Sequence, residues 1–282
     1  SLTKKNSIIW FTSPTQYSLA KSLLKQNHIV IYDCMDNAAE FYSSEDMKQK
    51  IINIERELCK RANLIITSAQ NLKTDLDNKY GVADKTNIIN NALSIKRSAI
   101  IEIPENIVQF FEDKSKKYVV YIGTVSEWFN FSDVEYALKD SRIILVIFGP
   151  KDCIIPVHPQ IKYAGIIEHL LVEKVMEQSD ALIMPFKITD LVKGVNPVKA
   201  YEYISSGKPV IFSKYEEIFV FEDFVYFYET RKELTSLFSM LVSGKLCPKK
   251  NKEESLEFAK KNTWHQRAVQ IKKLIESVEQ VE

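Results

Sequence analysis

The sequence predicts an α/β protein of two doubly wound domains, each a parallel sheet with helices on both faces. Three observations predict it. The chain has 282 residues, more than one core of common size takes up. Short continuous apolar runs alternate with helical patterns along its length, as strands buried on both faces between crossover helices do. The series also breaks once, over a looser stretch from Ala92 to about Lys117 that holds Pro104 and a charged DKSKK run, and then restarts.

In the first series Ser7–Thr12 (SIIWFT) reads as a buried strand, Pro14–Gln26 as a helix and His28–Asp33 (HIVIYD) as a second strand. A charged helix is expected over Glu45–Arg61, where Ile51, Ile54 and Leu58 recur at helical spacing. Asn63–Ser68 is a third strand, a helix follows through Leu72 and Leu76, and Asn87–Ile89 is a short fourth strand. In the second series Tyr118–Gly123, Arg142–Gly149, Ile161–Gly165, Asp180–Phe186, Lys208–Ser213 and Phe224–Phe227 read as strands. Helices are expected over Ile167–Glu177, Asn196–Ser206 and Lys232–Val242, and one charged helix over Glu253–Val281. The domain division is 1–100, a linker 101–117, 118–250, and a closing segment 251–282 expected to pack back on the first domain.

Composition is that of a globular chain, with 45% hydrophobic and 27% charged residues. A net charge of +1 gives no basic surplus, so nucleic acid is not the expected ligand. Cys34, Cys59, Cys153 and Cys247 form no CxxC pair, which points to reduced thiols rather than zinc or a disulfide framework. There is no apolar run of about 20 residues to span a bilayer, and the opening residues do not read as a signal peptide. The expected location is cytoplasmic.

One segment carries chemistry: Gly194-Val-Asn-Pro-Val-Lys-Ala-Tyr-Glu-Tyr-Ile-Ser-Ser-Gly207, followed by the strand KPVIFS. Asn196 suits an N-cap, Pro197 the first helical position, and Gly207 the left-handed residue that ends a helix. The start of such a helix offers free N–H groups and a positive dipole end to a diphosphate. Lys199 and Glu202, three residues apart, share a face: a compact cation for phosphate, and a carboxylate one turn on for two ribose hydroxyls. The same pattern also fits an ordinary capped helix with an exposed ion pair.

The segment NPVKAYEYISSGKPVI resembles the signature of GT-B glycosyltransferases, especially family 4 and its relatives in bacterial surface-polysaccharide synthesis. Other segments resemble the same enzymes in order and spacing: IVIYDCMDNAAEF from Ile29, ELCKRANLIITSAQNL from Glu57, IINNALS from Ile88, YIGTVSEWFNF from Tyr121, VIFGP, DALIMPF, and FAKKNTWHQRAVQI from Phe258. The resemblance implies two Rossmann-like domains facing a cleft, with the N-terminal, acceptor-side domain shortened and an apolar face or edge left for another chain to cover. It implies that Glu202 binds the nucleotide ribose and that Asn196, Pro197 and Val198 face the donor phosphates. Two departures stand out. Gly194 replaces a glutamate that contacts the donor sugar in many members, and the loop Gly123–Asn130 lacks their Arg and Lys. Lys199 is expected to compensate for the second.

Gly123 and Thr124 follow a strand and are candidates for close approach to a phosphate, or for a plain strand-to-helix turn. Asp33 and Asp36 end the Ile29 strand; either is a candidate base for an acceptor hydroxyl, or a helix cap. Ser68 reads as a helix cap and Asn91 as a residue shaping the domain crossover. Trp128 and Phe129 suit stacking or core packing equally. His28, His158, His169 and His265 have no metal-ligand spacing and are read as structural. The expected activity is transfer of a sugar from a UDP-, GDP- or dTDP-sugar to a glycan or lipid-linked acceptor, with no metal or other cofactor and with peripheral association at the inner membrane face. The alternative is a non-catalytic module of the same fold; a sugar-nucleotide epimerase lacks acid–base groups that can be placed.

Overall fold

A computed structural model describes residues 7–94 and 102–279. The first residue of the expected linker and the end of the expected closing helix, at 280–281, lie outside them. The chain forms two compact units: residues 1–91, 193–196 and 264–282, and residues 92–192 and 197–263.

The first unit runs β1 (Ile8–Phe11), α1 (Pro14–Ala20), β2 (Ile29–Cys34), α2 (Glu45–Arg61), β3 (Leu64–Thr67), α3 (Gln70–Tyr80) and β4 (Thr86–Ile88). The strands pair in that order, all parallel. Side chains alternate across the sheet. Val30, Tyr32, Cys34 and Ile65 meet Leu58, Leu72 and Leu76 of the helices on one face. Ile29, Ile31, Leu64 and Ile66 line the other. Glu55 of α2 is buried, and its carboxylate accepts hydrogen bonds from the hydroxyls of Tyr32 (2.6 Å) and Tyr80 (2.9 Å).

The second unit holds α4 (Glu105–Val108), β5 (Lys117–Ile122), α5 (Phe131–Ala137), β6 (Ile143–Phe148), β7 (Ile161–Gly165), α6 (Val172–Gln178), β8 (Ala181–Met184), α7 (Asp190–Lys193, its last residue grouped with the first unit), α8 (Val198–Ser205), β9 (Val210–Ser213), β10 (Val225–Tyr228), α9 (Arg231–Val242) and α10 (Lys252–Lys261). Its sheet has the order β10-β9-β8-β5-β6-β7, again parallel throughout. The order reverses between β5 and β8, the kind of switch point where doubly wound sheets bind ligands.

Several expectations need correction. The stretch read as a linker carries α4, and Ile107 and Phe111 are buried in the second unit's core. The helix expected from Ile167 starts at His169, with a tight 3-10 turn before α6. The single closing helix is two. α10 ends at Lys261, and α11 (Trp264–Glu279) belongs to the first unit. The break falls where Thr263 bridges to Leu93, whose N–H donates to Asn262 O. Ile271, Leu274, Ile275 and Val278 of α11 then cover the Ile29–Leu64 face of the first sheet at helical spacing.

One contact ties α8 to its sheet. β5 pairs with β8 only at Val119 and Val120. Beyond that ladder the Ile122 N–H donates to the Tyr203 hydroxyl (2.7 Å), which donates in turn to the Ile122 carbonyl (3.3 Å). Tyr203 is fully buried, and burial holds its phenol proton well above the ordinary range. Tyr203→Phe leaves a buried N–H without this partner and is expected to cost about 1–3 kcal/mol in urea unfolding. A change below about 0.5 kcal/mol would mean that water or a backbone shift replaces the hydroxyl.

Candidate functional site

The carboxyl ends of β5, β6 and β7 are laced together by glycines. The Gly149 N–H donates to Gly165 O, and the Tyr163 hydroxyl donates to Gly149 O, both at 2.8 Å. Gly149 has φ +132°, and a Cβ there would lie 2.1 Å from Gly123 O. Gly123 is itself crowded, since its Cβ would lie 2.9 Å from the Tyr121 hydroxyl. That hydroxyl donates to Thr124 O (2.8 Å), turning the chain just past the strand. Thr124 is exposed at this edge. Phe129 does not reach a ligand surface: it is 1% exposed and packs edge-on against Tyr121 with centroids 5.0 Å apart. Trp128 is half-buried against the same core.

The helix over the key segment is α8, and its start differs from expectation. Pro197, at φ −77° and ψ 122°, is the N-cap, and Val198 is the first helical residue. Asn196 does not cap. Its Oδ1 accepts from the Asn91 N–H (3.2 Å) and its carbonyl accepts from Asn91 Nδ2 (2.6 Å). Asn91 therefore shapes the crossover by gripping the residue just before the helix. Asn71 Nδ2 also holds Lys193 O, at 2.7 Å. Gly207, at φ +71°, ends the helix as expected.

Ala200, Tyr201, Tyr203 and Ile204 form the buried face of α8. Tyr201 packs edge-on against Phe221 (5.0 Å) and stacks with Phe258 of α10 (5.9 Å). The half-buried face carries Val198, Lys199 and Glu202. Lys199 Nζ lies 2.5 Å from Glu202 Oε2. The other oxygen, Oε1, faces His169 Nε2 at 3.8 Å. His169 opens the helical turn that follows β7, and sequence reading missed it because its partner is 33 positions away. His28 and His158 do serve local structure, since their Nδ1 atoms accept backbone N–H groups of Lys25 and Gln160.

The two candidate bases of the first unit part company. Asp33 sits on the Ile29–Ile31 side of β2 and accepts from Trp10 Nε1 (3.2 Å). Asp36 lines a cavity of about 300 Å³ with Thr12, Ser13, Tyr32, Phe41 and Tyr42. Neither caps a helix: Asn37 precedes the next 3-10 turn without a side-chain bond. Ser68 is not a cap either, and its hydroxyl donates to Met35 O at 2.7 Å. Burial pushes both carboxyls upward from the ordinary aspartate value, with the Trp10 bond opposing it at Asp33. A raised native pKa makes ionisation a cost to the folded state at neutral pH, relieved as pH falls through that value. Asp33→Asn keeps an acceptor for Trp10, so it is expected to melt no lower than wild type at neutral pH. The wild type should gain on it as pH falls into the carboxylate range. Thermal melts across pH check this, and a lower melting temperature for the variant at neutral pH would contradict it.

Two parallel α/β units of this order make up a GT-B fold, as the sequence resemblance implied. No family model matches the chain. It is 26% identical over 219 residues to the "Putative teichuronic acid biosynthesis glycosyltransferase TuaH" of Bacillus subtilis (strain 168), a match covering 72% of this chain and 54% of that protein. The chain thus spans about half the length of that relative. Among solved structures it is similar to HepE of Anabaena in complex with UDP-glucose, with TM-score 0.74 and 15% identity over 96% of this chain and 79% of that one. It is also similar to TarM, with TM-score 0.69 and 14% identity over 96% of this chain and 55% of that one. No helix among the described residues is long and apolar enough to cross a membrane.

Proposed function

We propose that this chain is a glycosyltransferase that moves a sugar from a nucleoside-diphosphate sugar to a glycan or lipid-linked acceptor in surface-polysaccharide synthesis. The observation that carries the reading is the open face of α8, where a half-buried carboxylate and a lysine lie one turn apart beside the helix start. The first-turn N–H groups at Val198 and Lys199 have no intrahelical acceptor and suit the diphosphate, with Thr124 as a further backbone contact; the Gly123 N–H is already given to Phe148 O (2.9 Å), so Gly123 contributes its close packing and not a donor. Glu202 accepts the ribose hydroxyls. Lys199, paired with Glu202 in the free protein, turns to the phosphates as negative charge grows on the leaving diphosphate. On the acceptor side Asp36 is the better placed base, because it lines a cavity and Asp33 is held by Trp10. We place the protein in the cytoplasm, peripherally at the inner membrane face, with no metal or other cofactor, and expect a partner chain against the edge strand β1, where Ile8 and Trp10 are partly exposed.

The UDP-glucose bound to HepE and the activity that TuaH is named for belong to those proteins; they support a UDP-sugar as the first donor to try. The test is calorimetric titration with UDP, GDP, dTDP and their sugars, followed by transfer assays with lipid-linked and free glycan acceptors. Selective binding of one nucleotide together with transfer is the expected result. Gly194, in place of a donor-sugar glutamate, favours a second reading, a non-catalytic module. Nucleotide binding without transfer to any acceptor would support that reading, and no nucleotide binding would defeat the donor site.

A further inference from the structure

We infer that His169 is a second ribose ligand, which holds one ribose hydroxyl jointly with Glu202. The inference rests on the donor reading of α8 and adds a residue to it. Glu202 presents its two oxygens to different neighbours. Oε2 is taken by Lys199 at 2.5 Å, on the side of the helix start. Oε1 faces His169 Nε2 at 3.8 Å. That separation is too long for a direct hydrogen bond. It is a gap that one hydroxyl spans, donating to the carboxylate oxygen and accepting from the imidazole N–H at about 2.8–2.9 Å each.

The surroundings leave room for such a ligand. The His169 side chain is 58% exposed and that of Glu202 is 16% exposed, so a ligand can reach the imidazole and, beside it, part of the carboxylate. His169 follows the carboxyl end of β7, the edge at which parallel sheets take ligands. Gly165, at the end of that strand, would have nothing within 4 Å of a Cβ. A diphosphate at the start of α8 places the ribose one turn along, beside Glu202, and the imidazole closes its far side. The pairing selects for a sugar with its hydroxyls in place, so a ribonucleotide is favoured over one that lacks the hydroxyl held.

The test is a binding cycle. UDP, 2′-deoxy-UDP, 3′-deoxy-UDP and inorganic pyrophosphate are titrated calorimetrically into the wild type and His169→Ala. The variant is expected to bind UDP about tenfold more weakly, the loss of one hydrogen bond, and pyrophosphate equally well. For one of the deoxy compounds the two proteins should bind alike, because the hydroxyl that His169 holds is already gone. Unchanged pyrophosphate binding also shows that the variant keeps its fold. The inference is overturned if His169→Ala binds UDP like the wild type, or if it loses the same factor for UDP and for both deoxy compounds. If the wild type binds pyrophosphate but no nucleotide, the ribose site falls as a whole and this inference with it.

Discussion

Glu202→Ala is expected to weaken UDP binding about a hundredfold, with inorganic pyrophosphate bound as tightly as before or more so. A charged acceptor of hydrogen bonds contributes about 1.5–3 kcal/mol per bond, so losing both ribose contacts costs about 3 kcal/mol or more. The opposite effect on pyrophosphate follows from the ion pair. Lys199 Nζ lies on Glu202 Oε2 in the free protein, and removing the carboxylate releases the ammonium for an anion at the helix start. A helix that merely carried a surface ion pair would lose no UDP affinity. Competition calorimetry on the variant reads both constants. Equal weakening of UDP and pyrophosphate would mean that the substitution has damaged the helix, and no weakening of either would remove Glu202 from the site.

The second large effect is on stability. Gly149→Ala is expected to cost about 3–5 kcal/mol, combining a strained backbone with overpacking. The residue has φ +132°, and the new methyl carbon would meet Gly123 O at 2.1 Å and Gly123 C at 2.7 Å, both backbone atoms that cannot rotate away. Gly81→Ala is the control, because Gly81 has φ +66° with nothing within 4 Å of its Cβ. It should lose about 1–2 kcal/mol through left-handed strain alone. Urea unfolding of the two variants separates steric from conformational cost. Similar losses for both would show that β5 and β6 can move apart without penalty.

Gly149 also marks how far the sequence could be read. The strand that ends there was legible as an apolar run, but not the close approach of Gly123 that forbids a side chain. The strands were legible because a parallel strand buried on both faces must be apolar at consecutive positions, as Ile143–Phe148 is. The α8 helix was legible through its glycine stop and its Lys199–Glu202 spacing. Its start was misread because Asn-Pro has the local form of a cap and first turn, whereas the amide of Asn196 is claimed by Asn91, 105 residues away. Long-range competition of this kind leaves no local trace. The same holds for the break before Trp264, which a bridge to Leu93 fixes, and for His169, whose meaning comes from Glu202.

The grouping of residues 193–196 and of α11 with the first unit bears on how the molecule can be taken apart. The chain passes from one unit to the other four times, at 91/92, 192/193, 196/197 and 263/264. No contiguous stretch of gene therefore encodes either unit. A fragment ending at Asn91 would lack Ile271, Leu274, Ile275 and Val278, and the face of Ile29, Ile31, Leu64 and Ile66 would stand in water. Truncation is thus a poor tool for assigning roles to the halves of this protein. A circular permutant, opened in an exposed loop and closed so that Trp264–Glu279 precedes Ile8, would give the first sheet all its cover from nearly continuous coding sequence.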